Sequence, residues 1–156
     1  MAEVLVLVDS ADGSVKKSTF ELLTAARSLG EPGAVVVGAP GTAAAVKDQL
    51  AEYGAAKVYA AESDDIAGYS VAPKAAALAA VVAQASPAAV LLTSAAENKE
   101  IAARLAVKIE SGLLYDAVDV AADATATQQI FGAAITVTSK VSKGTPIITL
   151  RPNSFA

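Results

Sequence analysis

Cysteine, histidine and tryptophan are all missing from this 156-residue chain. Without cysteine there is no disulfide framework, no thiolate nucleophile and no Cys-ligated metal cluster, and the redox compartment cannot be read from thiols. Without histidine the commonest general base and the commonest metal ligand are gone as well, so catalysis is a poor first reading. Aromatic residues are 4% of the chain. Tyr53, Tyr59, Tyr69 and Tyr115 stand singly, as packing residues do, and form no stacking platform for a base or a flavin. Basic side chains are also scattered singly in a chain of net charge −4 and pI near 4.8. That leaves no electrostatic footprint for nucleic acid or an anionic membrane. The mean hydropathy of +0.48 comes from alanine and valine, and charged or turn residues interrupt every apolar run well short of a membrane span. MAEVLVLVDS enters a strand-like run directly, with no basic leader region or cleavage site, which reads as a soluble cytoplasmic protein.

What is present is one domain's worth of alternating apolar strands and amphipathic helices, enough to bury roughly 68–70% of the unfolded chain's surface. The stretch from Ala88 to Gly112 organises the rest. Ala88 to Thr93 is an apolar run after Pro87, the pattern of a strand covered on both faces. Ser94-Ala95-Ala96-Glu97 reads as a capping box that opens a helix. In that helix Ile101, Leu105 and Ile109 share a face with Ala102 and Ala106, while Lys99, Glu100, Arg104 and Lys108 face away. Gly112 reads as its C-terminal stop.

The same grammar runs from the start of the chain. Val4 to Val8 is a first buried strand, closed by Asp9 and the turn-rich DSADGS. A helix is predicted from about Lys16 to Leu29, with Phe20, Leu22, Leu23, Ala26 and Leu29 inward, ended by Gly30 and Glu31-Pro32-Gly33. Ala34 to Val37 is the second strand. GAPGT then leads through a Thr42 cap into a helix bearing Val46, Leu50 and Tyr53, closed by Gly54. Lys57 to Ala61 is the third strand. After the polar loop ESDDIAGYS, a helix is predicted over Val71 to Ala85, with Pro73 in its first turn and Leu78, Val81 and Val82 as its bulk. Strands and helices alternating over residues 3–112 imply a doubly wound, mainly parallel α/β sheet with right-handed crossovers and helices on both faces.

From Tyr115 no helical period continues. Ile135, Val137 and Val141 alternate with polar neighbours, and SKGT links them to Ile147, Ile148 and Leu150, which predicts antiparallel strands over residues 115–151. Thr125 to Gln129 belongs to a preceding hairpin or exposed strand. Pro152-Asn153-Ser154 carries turn chemistry. With no repeat, low-complexity tract or linker, residues 1–156 read as a single domain.

Chemistry-bearing motifs are few. GAPGT, at Gly38 to Thr42, lies between strand and helix where backbone donors bind phosphate, yet it lacks the G-x-G-x-x-G spacing and the Walker lysine; a tight turn is the simpler reading. DSADGS and ESDD do not have the spacing of a calcium loop and read as solvated turns. Lys99 and Arg104 suit contact with an anionic ligand or partner or, more simply, form an ordinary charged face with Glu100–Arg104 at i,i+4 spacing. Ser94 lies where open α/β sheets place ligands, but with no histidine to activate it, capping is preferred. No catalytic, cofactor-binding or metal-ligating residue is assigned.

Three stretches together resemble the N-terminal domain of the electron transfer flavoprotein α subunit. They are VLVLVDSADGSVKKSTFELLTAARSLG, LLTSAAENKEIAARLAVKIESGLLYDAVDV and ITVTSKVSKGTPIITLRPNSFA, the last closing on Arg151, Pro152 and Phe155. The resemblance implies an adenine-nucleotide-hydrolase-like three-layer fold. It implies a structural and partner-docking domain, not an enzyme, in a heterodimer with the β subunit. In that family FAD is held mainly by a second domain, which would begin where this chain stops. AMP is held by the β subunit, and this domain is the counterpart without the nucleotide. The partners implied are acyl-CoA and other dehydrogenases and a downstream quinone reductase, as in fatty acid β-oxidation, with no nucleic acid and no membrane insertion. Two other readings stay open: an adenine-nucleotide-binding, universal-stress-like domain using the strand ends after Val8, Val37 and Thr93, and a scaffold that self-associates through an exposed antiparallel edge.

Overall fold

The computed structural model describes all of residues 1–156. Its main sheet has eight strands: β1 (Glu3–Leu7), β4 (Glu31–Gly38), β5 (Lys57–Glu62), β6 (Ala89–Thr93), β7 (Leu113–Val120), β8 (Ala126–Ile130), β9 (Ile135–Ser139) and β10 (Ile147–Leu150). A two-residue pair, β2 (Ser10–Ala11) and β3 (Ser14–Val15), forms a separate ribbon. The helices are α1 (Lys17–Leu29), α2 (Thr42–Glu52), α3 (Asp64–Gly68), α4 (Ala72–Ala85) and α5 (Ala96–Lys108). The spatial order is β5-β4-β1-β6-β10-β7-β8-β9. All pairings from β5 to β7 are parallel, and β7-β8-β9 are antiparallel.

Both faces of the central strands are covered, which is why their sequences are unbroken apolar runs. Val4 and Val6 of β1, Val8 just after it, and Leu91 of β6 point into one core with Leu22, Leu23, Ala26, Val46 and Leu50 of α1 and α2. Leu5, Leu7, Val90 and Leu92 point into the other, with Leu78, Val82, Ile101 and Leu105 of α4 and α5. The chain winds outward from β1 to β4 and β5, then returns to place β6 on β1's other side. The β1/β6 boundary is therefore the topological switch point.

Five expectations need correction. The first concerns the third sheet segment: Ile147 to Leu150 does not pair with Ile135 to Val141. β9 pairs with β8, and β10 inserts in parallel between β6 and β7, with Ile148 opposite both Leu91 and Leu114. All four β10 residues are buried, so Ile-Ile-Thr-Leu is a two-face-buried central strand. SKGT is no hairpin turn but part of the path back to the centre, tied down where Gly112 N–H donates to Lys143 O at 3.1 Å and Ser111 Oγ donates to Thr145 O.

Second, Ser94 is not a cap. The residue before α5's first turn is Ala95, with no side-chain cap, and Ser94 Oγ lies 3.2 Å from Thr149 Oγ1 of β10. Glu97 reaches sideways to Lys74 of α4 instead of back to the backbone. Third, α5 ends at Lys108, and the reversal falls on Glu110 at φ 51°; Gly112 lies beyond it. Glycine is needed there for space, because a Cβ would meet Val141 Cγ1 at 2.7 Å. Fourth, Thr42 is not the cap of α2: that position is Gly41, at φ 90°, and the Thr42 hydroxyl donates to Ala39 O at 2.8 Å. Fifth, ESDDIAGYS is not all loop, because Ser63 Oγ accepts from Ile66 N–H at 3.1 Å and starts the short helix α3.

Candidate functional site

In a parallel sheet the loops after the strands share one end, and here that end carries three polar groupings. The first is GAPGT. Its positive-φ Gly41 lets α2 begin immediately, and the N–H groups of Gly41 and Ala43 point outward as an anion-binding helix start would. They are already engaged. Glu62, the last residue of β5, accepts from Gly41 N–H at 3.1 Å through Oε2 and from Ala43 N–H at 2.6 Å through Oε1. The chain's own carboxylate sits where a phosphate would, and it also meets the positive end of the helix dipole. Glu62→Ala is expected to cost about 1 kcal/mol, the magnitude of a lost helix cap, with Glu62→Gln intermediate because it keeps an acceptor and loses the charge. Urea unfolding of the two variants checks the order.

The second grouping lies at the switch point. A small void of about 140 Å³ is lined by Val8, Asp9, Ser10, Lys16, Glu97 and Asn98 among others. Asn98, buried at α5's first turn, donates from Nδ2 to Asp9 Oδ2 at 2.8 Å. The Asp9 backbone is held at 2.9 Å by the buried Thr19 hydroxyl of α1. Burial pushes the Asp9 carboxyl above its ordinary value of 3.8, with Glu97 acting the same way, against the opposing effects of the Asn98 hydrogen bond and the Lys16 charge. Thr93 itself, 4% exposed, has no hydrogen-bond partner for Oγ1. Ser94, Lys99 and Arg104 do not converge on this void.

A raised carboxyl pKa means the folded state holds the proton more tightly than the unfolded one. The associated stability is fully present below 3.8 and is lost as pH rises through the folded value. Asp9→Asn is therefore expected to be more stable than the parent at neutral pH, with the difference shrinking to nothing on acidification below 3.8. Paired melting curves across that range measure it, and a gain that persists at low pH would contradict the assignment.

The third grouping spans the ends of β6 and β10 and the middle of β7. Asp116 sits at φ 57° in a bulge of β7, where the register against β10 slips between Ile148 and Leu150. Its N–H donates to the buried Thr149 hydroxyl at 2.8 Å, and its Oδ2 accepts from Arg151 Nη2 at 2.8 Å. The Arg151 hydrogen bond holds the Asp116 carboxyl below the usual range, helped by the Ser94 hydroxyl and by the charges of Arg151 and Lys99 and opposed by burial. Arg151 Nη2 also reaches Gln129 O at 3.3 Å, so one side chain ties β7, β8 and the chain's exit together. Glu21 of α1 fixes that exit, accepting from Asn153 N–H at 2.7 Å. This grouping was not legible beforehand, because a β-bulge with Asp in left-handed conformation leaves no spacing signature.

The remaining candidates resolve simply. Arg104 forms an exposed pair with Glu100 at 2.9 Å. Tyr53 stacks on Phe20 at 3.8 Å, Tyr59 donates to Glu3 at 3.0 Å, and Tyr115 donates to Lys99 O at 3.0 Å. DSADGS is the β2–β3 ribbon, turning at Asp12 and Gly13. No three His, Cys, Asp or Glu side chains are grouped to hold a metal ion, and no helix is long and apolar enough to cross a membrane.

The Electron transfer flavoprotein domain family matches residues 4–156. The chain is 52% identical over 151 residues to an electron transfer flavoprotein subunit alpha of Mycobacterium tuberculosis, covering 97% of this chain and 48% of the relative. It is 50% identical over the same length to the subunit alpha of Mycobacterium leprae, again covering 97% of this chain and 48% of the relative. Against the subunit alpha of Syntrophomonas wolfei it is 34% identical over 157 residues, covering 97% and 49%. The chain spans about half the length of the curated relatives it matches. With its three-layer, mostly parallel α/β architecture, the chain belongs to the electron transfer flavoprotein family and is similar to that family's α subunits.

Proposed function

We propose that these residues are the N-terminal, partner-docking domain of an electron transfer flavoprotein α subunit. The domain pairs with a β subunit, and the flavin is carried by residues other than these. The heterodimer takes electrons from acyl-CoA and other dehydrogenases and passes them to a quinone reductase of the respiratory chain, in the cytoplasm. In this reading the domain has no catalytic, cofactor-binding or metal-binding residue of its own.

One observation supports the structural role: the chain's own carboxylate takes the backbone donors where this fold would hold an anion. Glu62 occupies the α2 donors, and the switch-point void of about 140 Å³ is far below the roughly 300 Å³ at which small-molecule sites begin. The stacking of the one aromatic pair, Phe20 and Tyr53, on each other at 3.8 Å supports a flavin carried elsewhere. An electron carrier's redox chemistry belongs to its cofactor, and the protein supplies position and electrostatics. A domain without acid–base machinery suits that division.

Purified chain should be colourless, bind a recombinant β subunit, and keep its melting temperature on addition of AMP or ATP. Co-purified flavin, or no binding to the β subunit, would count against the proposal. The nucleotide-binding reading draws on the partnerless Thr93 hydroxyl beside Asp9. A melting temperature that climbs with nucleotide concentration, as mass action requires, would favour it.

A further inference from the structure

The Glu62 carboxylate is an anion already held at the start of α2, and a groove opens beside it. The groove, about 430 Å³, runs between α2 and β5 and is lined by Ala43, Ala44 and Lys47 on one side and by Val58 and Ala60 on the other, among others. β5 is an outer strand of the sheet, so nothing flanks the groove on its far side. β5 pairs with β4 without a bulge, so Val58, Ala60 and Glu62 share one face. From that face Glu62 spans the two donors, one oxygen on Gly41 N–H and the other on Ala43 N–H. The groove therefore ends at the positive end of an 11-residue helix.

Its lining selects a class of ligand. Every charged side chain along the walls is a lysine, and the rest is apolar. Lys57 is held by Glu3 at 3.5 Å, whereas Lys47 makes no ion pair. A volume of about 430 Å³ lies within the small-molecule range of roughly 300–1,000 Å³, which the switch-point void does not reach. Apolar walls with donors and cations but no free acceptor suit a short apolar body carrying an anion. The two donors are met by two different oxygens of one group, a role that a phosphate fills as well as a carboxylate.

We propose that the α2–β5 groove is a binding site for a small phosphomonoester with a short apolar body, and that Glu62 holds the site shut. The phosphate takes the place of the Glu62 carboxylate on Gly41 and Ala43 N–H, and the body lies along the alanine wall past Lys47. A carboxylate tethered on the neighbouring strand competes at an effective concentration well above that of a free ligand. The site is closed while Glu62 is in place and opens when its side chain is displaced.

The test titrates the parent chain, Glu62→Ala and Glu62→Gln with inorganic phosphate and with n-butyl phosphate at constant ionic strength. Melting temperature and the amide shifts of Gly41 and Ala43 by NMR are recorded for each. In Glu62→Ala both phosphates are expected to raise the melting temperature and move the two amides, butyl phosphate at a roughly tenfold lower concentration because its chain is buried in the groove. The parent should need at least about tenfold more of either phosphate. Glu62→Gln, which keeps a neutral acceptor in place, should fall between them, and it carries the test if the alanine variant does not fold. Amides that stay still in the folded variants, or a parent that responds as strongly as Glu62→Ala, would overturn the proposal. Equal affinity for the two phosphates would overturn the groove's part in it, since a free phosphate would then satisfy the site.

Discussion

Leu105→Asp is expected to abolish cooperative folding. Leu105 is 0% exposed on the inward face of α5, in the core shared with Leu92, Ile101 and Ile147. An aspartate there loses the leucine's apolar burial, about 2–5 kcal/mol with the cavity it leaves, and must also remain charged without a partner or take up a proton. Together these approach the whole 5–15 kcal/mol that holds a domain folded. Circular dichroism and urea titration should show a chain without a cooperative transition. Leu105→Met, which conserves volume, should stay within about 1.5 kcal/mol of the parent. A soluble Leu105→Asp protein with a sharp transition would mean that α5 does not pack as described.

Gly30→Ala is the second large effect, and its cause is purely steric. Gly30 closes α1 with φ 171°, an extended conformation open to any residue, so the left-handed region is not involved. A Cβ at that position would lie 2.2 Å from Ala2 O and 3.1 Å from Val4 Cγ2. The obstacle is backbone: Ala2 O accepts from Glu31 N–H at 2.9 Å, where the chain turns from α1 into β4 beside β1. No rotamer change relieves it, so the first two strands must part. The expected cost is about 3 kcal/mol, the upper end for overpacking, or roughly 10 °C in melting temperature for a chain of this size. Gly13→Ala is the contrasting case: it has open space but φ 75°, so it should cost only about 1 kcal/mol from backbone conformation. Thermal melts of the two variants separate collision from strain.

Much of the architecture was legible because burial on both faces writes itself into composition. Val4 to Val8, Ala34 to Val37 and Ala89 to Leu92 are unbroken apolar runs; the first and last lie in central strands and the second lies just inside the β5 edge. The helical faces of Leu22, Leu23 and Ala26 and of Ile101, Ala102 and Leu105 carried the 3.6-residue period into the structure unchanged. Ile147 to Leu150 carried the same two-face signature, but its closeness in sequence to β9 suggested a hairpin. Neighbours along the chain usually do pair, and here the shorter path lost to the deeper burial between β6 and β7.

The local cap signals failed for a different reason. Ser94-Ala95-Ala96-Glu97 has the right letters, but Thr149 offers the serine a partner and Lys74 offers the glutamate a charge. Thr42 likewise lost its capping place to Glu62, which lies 20 positions along the chain.

Periodicity and glycine placement were enough to establish a doubly wound, mainly parallel α/β fold, since those patterns depend only on local geometry and burial. Tertiary structure alone decided where β10 enters, that Glu62 fills the anion position, that Asp9 and Asn98 meet across the switch point, and that β9 is left as a bare edge. Each of these is a contact between residues distant along the chain. Such contacts arise from competition among all available partners for the same buried donors and strand edges, and no single stretch of sequence records its outcome.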